Sequence, residues 1–131
     1  MFRVGEDPLD LPALISSVED ERFGAVVAFL GIVRRSGEAG EIDALEYSAY
    51  AEMAVLKMHE IGRELEEQFG PLRIAATHRT GRLPVGTPSL ALAVACPHRG
   101  QAWRAAEKFV DRLKEVVPIW KVDIPVEGGK S

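Results

Sequence analysis

"IDALEYSAYAEMAVLKMHEIGRELEEQFG", residues 42–70, changes its hydrophobic period partway along. At first Leu45, Tyr47 and Ala49 alternate with Glu46, Ser48 and Tyr50, the two-residue period of a half-buried strand. Beyond Tyr50 the apolar positions become Ala54, Met58, Ile61, Leu65 and Phe69, which share one face of a helix. Gly70 and Pro71 stop that helix in the usual way. A strand that runs directly into a long helix makes this a mixed chain.

Upstream, "DLPALISSVED" (10–20) spaces Leu11, Leu14, Ile15 and Val18 for a short amphipathic helix capped by Asp10. "GAVVAFLGIV" (24–33) is continuous and apolar, the pattern of a strand buried on both faces. "RRSGEAGE" (34–41) reads as a charged, glycine-punctuated loop. Downstream, "RIAATHR" (73–79) and "SLALAVAC" (89–96) read as strands, with a sharp turn and a short strand near 83–85 between them. A last helix over about 101–117 has the stripe Ala102, Ala106, Phe109, Leu113 and Val116, and Pro118 ends it. The expected fold is α+β: a largely antiparallel sheet, two long helices on one side and a short N-terminal helix. A helix between strands also allows a parallel crossover. The 131 residues suit a single domain, 1–131, with residues 122–131 expected as a weakly ordered tail.

The formal charge of −4 argues against nucleic acid as the main partner. No apolar run has the roughly 18 residues of a membrane span, and the first residues lack the apolar core of a signal peptide. A single cysteine, Cys96, supports neither a disulfide framework nor a zinc site, so a reducing cytoplasm is the expected compartment. There is no HExxH, no phosphate loop of the GxxxxGK[ST] type and no GxSxG elbow. Neither a metal nor a cofactor is expected.

Basic residues in particular places carry the chemical interest. Lys114 lies about a quarter-turn from the centre of the last helix's apolar stripe, where its stem can lie on apolar surface and its amine can enter a cleft. Lys121 follows Pro118, Ile119 and Trp120, so a turn can return its amine to the same place. A snorkelling lysine and a lysine balancing the helix dipole fit the same spacing. His98 and Arg99, in "PHRG", open the last helix, where free N–H groups favour anions and a guanidinium grips phosphate or carboxylate. Arg34 and Arg35 leave the end of the apolar strand and fit either a site or a solvated loop. Cys96 ends an apolar strand with no base spaced to activate it, so it reads as packing. His59 lies near a helix-face boundary, and His78-Arg79 repeats the His-Arg pair in "THRTGRLPVG".

Taken in order, "GAVVAFLGIVR", "LEYSAYAEMA", "HRTGRLPVG", "PHRGQAW" and "DRLKEVVPIWK" resemble the signature segments of the large, catalytic subunit of molybdopterin synthase, the MoaE family. The likeness runs from about residue 23 to 121. It implies an α/β hammerhead fold. It implies sulfur transfer from the C-terminal thiocarboxylate of a small ubiquitin-like subunit to cyclic pyranopterin monophosphate, which installs the dithiolene of molybdopterin. It also implies a heterotetramer built on a dimer of large subunits. On this resemblance Lys114 is the catalytic lysine and Lys121 the second active-site lysine. Substrate binding falls to Ile32, Val33, Arg34, His98 and Arg99, together with both lysines and the following Val122 and Asp123. The family tends to place a basic residue and a glutamate where Val122 and Asp123 stand, and it often continues with a longer tail. A catalytically silent module that keeps the fold and docks a ubiquitin-like partner is the alternative, and retention of both lysines favours the enzyme.

Overall fold

The computed structural model describes residues 1–38 and 40–126. In chain order they form β1 (Phe2–Gly5), α1 (Leu11–Val18), β2 (Ala25–Ile32), β3 (Ser36–Gly37), β4 (Gly40–Ala49), α2 (Ala51–Phe69), β5 (Arg73–Arg79), β6 (Gly81–Pro84), β7 (Pro88–Cys96), α3 (Arg99–Val116) and β8 (Ile119–Pro125). One sheet has the order β1-β5-β7-β2, with β1 parallel to β5 and the remaining neighbours antiparallel. The second sheet centres on β4, which pairs antiparallel with β3, β6 and β8. This is the expected α+β architecture, with two long helices, a short N-terminal one and mostly antiparallel pairing. The helix α2 leaves β4 of one sheet and enters β5 of the other, so it makes no parallel crossover.

The periodicity of α2 and α3 decides their placement. Ala54, Met58, Ile61 and Leu65 of α2 and Ala102, Phe109 and Leu113 of α3 are buried together against Leu92, Val94 and Cys96 of β7. The helix α1 covers the opposite face, setting Leu14 and Val18 on Ala75, Ala91, Ala93 and Ala95, whose small side chains let it lie close. Its N-cap is the expected one: Asp10 accepts from the Ala13 N–H at 3.1 Å. Gly70 ends α2 at φ +89°, a conformation that disfavours a β-carbon, and the Gln101 side chain donates to the helix-end Phe69 carbonyl at 2.9 Å.

Several elements differ from their sequence patterns. The run 24–33 yields β2, which is an edge strand and not a doubly buried one. Its Val27 is buried, but Val26, Phe29, Leu30 and Ile32 are exposed. The doubly buried strand is β7, where every residue from Ser89 to Cys96 is buried between helix layers. Continuous hydrophobicity does not by itself say whether a strand lies inside a sheet or at its edge. The loop 34–41 contains the short hairpin of β3 with β4. The first residues form β1, too short for a periodic signal. Residues 122–125, expected in a weakly ordered tail, belong to β8, which is held along β4 from Ile42 to Ala49. Val126 follows outside regular structure, and the rest of that expected tail, 127–131, lies outside the described residues. Among the described residues no helix is long and apolar enough to cross a membrane.

Candidate active site

A cleft of about 700 Å³ opens where the end of β2, the β3–β4 hairpin, the end of α3 and β8 meet. Three cations reach it from segments far apart in sequence: Arg34, Lys114 and Lys121. Ile32, Val33 and Asp123 also line it. Arg34 hangs from a fixed point. Val33 is buried, its N–H donates to Thr87 at 3.0 Å, and its carbonyl accepts from Gly86 at 2.7 Å. Lys114 follows the buried Leu113 in the last turn of α3, where a cation also suits the helix dipole.

Strand register places Lys121. After α3 the Val117 N–H closes on the Leu113 carbonyl, and the Pro118 carbonyl accepts from Tyr50 at the start of α2. The chain then runs antiparallel to β4, pairing Lys121 with Tyr47 and Asp123 with Leu45. Directly opposed residues share a face, so both side chains point with Tyr47 and Leu45 into the cleft. Val122, one step out of phase, opposes Glu46 and is exposed on the other face, so it does not line the cleft.

Asp123 also meets the hairpin. A β-carbon on Gly37 would lie 2.6 Å from its Oδ2 and 2.8 Å from Ile42 Cγ2. Only a glycine lets β3 approach β8 this closely. Among the described residues no ion pair holds Arg34, Lys114 or Lys121. Three cations facing an open cleft with apolar walls form a receptor for anions.

His98 and Arg99 do not line this cleft. They are exposed at the start of α3, beside the beginning of β2: Ala25 pairs with Cys96, and the Gly24 N–H donates to the Pro97 carbonyl at 3.2 Å. Arg34 leaves the other end of β2. Within one chain, roughly 23 Å of strand separates the two ends.

Sequence reasoning passed over His78 and Tyr47. Both line the cleft, with ring centroids 4.8 Å apart in an edge contact. The signal was present: His78 continues the alternation of Ile74 and Ala76 on the helix-facing side of β5, a strange place for an imidazole without a task. Burial pushes its pKa below the ordinary histidine value, against the opposing effect of its bond to the Arg79 carbonyl. Cys96 is buried and burial raises its thiol pKa, which suits packing and not nucleophilic attack. His59 packs edge-on against Phe2 at 4.7 Å.

Known proteins resemble this chain in sequence and in fold. The family model described as MoaE protein matches residues 4–116. The molybdopterin synthase catalytic subunit of Bacillus subtilis is 38% identical over 127 residues, 97% of this chain and 81% of the relative. The crystal structure of molybdopterin synthase from Staphylococcus aureus superposes with a TM-score of 0.91 at 36% identity, covering 97% of this chain and 93% of that one. A complex of subunits 1 and 2 of the molybdopterin-converting factor from Helicobacter pylori shares the fold, with a TM-score of 0.74 at 21% identity.

Proposed function

The chain belongs to the MoaE family, the catalytic subunits of molybdopterin synthase, and from that premise we propose that its cleft carries sulfur from a protein thiocarboxylate to a pterin. The donor is the C-terminal glycine thiocarboxylate of a small ubiquitin-like subunit. The acceptor is cyclic pyranopterin monophosphate, and the product is the dithiolene of molybdopterin. The observation that carries this reading is the convergence of Arg34, Lys114 and Lys121 on one cleft. Substrate phosphate and carrier tail are both anionic, so the same cations favour both.

Lys114 delivers a proton to the oxygen that leaves the pterin carbon as sulfur bonds to it, and offsets charge as water then cleaves the acyl–sulfur bond and returns the carrier's glycine as a carboxylate. Lys121 and Arg34 hold the phosphate or the carrier's terminal carboxyl group. Ile32 and Val33 supply apolar wall beside them. Asp123 sets the position of the hairpin rim through its approach to Gly37. The buried Cys96 thiol is compatible with a reducing cytoplasm as the place of work.

The site is completed by a second copy of the chain. The edge strand β2 exposes Val26, Phe29, Leu30 and Ile32, an apolar surface that a dimer would cover. Two such strands paired about a two-fold axis run antiparallel, so the start of one lies beside the end of the other. That arrangement brings His98 and Arg99 of the second copy to the Arg34 end of the first. One small subunit at each cleft then makes the heterotetramer.

The test is reconstitution with thiocarboxylated small subunit and cyclic pyranopterin monophosphate, followed by assay for molybdopterin. Lys114→Ala should lower turnover by about 10²-fold or more, with an unchanged melting curve. Near-normal turnover by that variant would reject the assignment.

A further inference from the structure

We propose that His78 is a specificity-determining residue of the cleft, whose Nε2 accepts a hydrogen bond from an N–H or O–H group of the pterin. This rests on the reading of the cleft given above. The ring is held at two points. Nδ1 lies 2.7 Å from the Arg79 carbonyl, and the Tyr47 ring meets its plane at 67°. A carbonyl can only accept, so Nδ1 carries the proton and donates it. In the neutral ring Nε2 is left with a bare lone pair. Burial favours that neutral form.

Nε2 has no hydrogen-bond partner among the described residues, although His78 is only 5% exposed. Among the described residues the sealed side-chain polar atoms without partners are Arg79 Nε and Gln101 Oε1, so Nε2 is not closed off. The open space that this ring reaches is the cleft. A histidine serving the fold alone would be tied by the Arg79 bond and would gain nothing from leaving its second ring nitrogen unpaired in the wall of a cleft. The neighbouring cations supply donors for phosphate and carboxylate, whereas Nε2 supplies an acceptor. Cation donors and an acceptor held in a fixed position together distinguish a pterin, which carries N–H groups, from a simple phosphate ester.

Two substitutions separate this role from a structural one. His78→Asn can keep an N–H near the Nδ1 position to bond the Arg79 carbonyl, but it has nothing at the ε position. His78→Gln can place an oxygen near Nε2 while losing the local bond. In the reconstituted reaction, His78→Asn should raise KM for cyclic pyranopterin monophosphate by about five- to tenfold, more than it lowers kcat. His78→Gln should restore most of that loss. Equal KM for wild type and His78→Asn would overturn the proposal, as would a His78→Gln variant that is the worse of the two in KM and melting temperature together. Should either variant fail to fold, ¹⁵N NMR of the wild-type imidazole decides. The Nδ1–H tautomer is expected, with an Nε2 shift that moves when the pterin is added; an Nε2 resonance unmoved at saturating pterin overturns it. A wild-type chain that makes no molybdopterin with both substrates would sink the parent reading and this one with it.

Discussion

At the scale of single residues, the buried His78 ring makes the fold sensitive to mild acid. Its pKa is lowered by burial, so the unfolded chain binds a proton more readily than the folded one. Stability is therefore unaffected by this group well above its unfolded pKa of about 6.5. It falls as the pH drops through that value and levels off once the folded ring is itself protonated. The melting temperature of wild type should drop further between about pH 7 and about pH 5 than that of His78→Gln. Parallel slopes in a thermal-melt series would contradict the burial argument. Asp20, whose carboxyl is held low by hydrogen bonds from Arg22, also loses its contribution in acid, but below the ordinary carboxylate range. It is common to both proteins and cancels in the comparison.

At the scale of elements, the β3–β4 hairpin is fitted to β8 through one missing side chain. Ile42 is buried and cannot retreat, and Asp123 projects from a strand paired along its length. Alanine at Gly37 would meet both within 3 Å, so the hairpin must shift away from the cleft. Gly37→Ala should cost about 1–3 kcal/mol in chemical denaturation, the usual range for overpacking, and should lower turnover as the rim moves. Wild-type stability and turnover in that variant would mean that the close approach is not needed. The glycine-rich stretch 34–41 announced a turn, but the reason for Gly37 lies in a strand some 86 positions later in the chain. No local pattern carries that information.

At the scale of the whole molecule, the two halves of the expected site lie at opposite ends of β2. A shared site makes a quantitative prediction. Lys114→Ala and Arg99→Ala copies, each weak alone, should complement when dissociated and reassociated together. In a mixed dimer of the kind described, one cleft carries both substitutions and the other carries neither. Random pairing then leaves about a quarter of all clefts intact. Molybdopterin formation near that fraction of wild type is the expected result. Activity no greater than that of the separate variants would place Arg99 outside any shared cleft.

The amino-acid sequence by itself determined the mixed class of the fold, the two long helices and their buried faces, and the ends of α2 and α3. Those features follow from local periodicity and from glycine and proline at helix ends, and each is expressed within a single turn or strand. The ordered motifs also identified the family, and that resemblance singled out Lys114 and Lys121, whose spacing alone fits a snorkelling lysine and a dipole-balancing one equally well. Tertiary structure decided what depends on pairing between distant segments. It made β2 an edge and β7 the covered strand, and it turned residues 122–125 into part of β8. Through strand phase it sent Asp123 into the cleft and Val122 out of it. It separated His98 and Arg99 from the lysines and brought in His78. The physical reason is that a side chain's direction is local, but what it faces is set by the register and sheet order of residues far away in the chain.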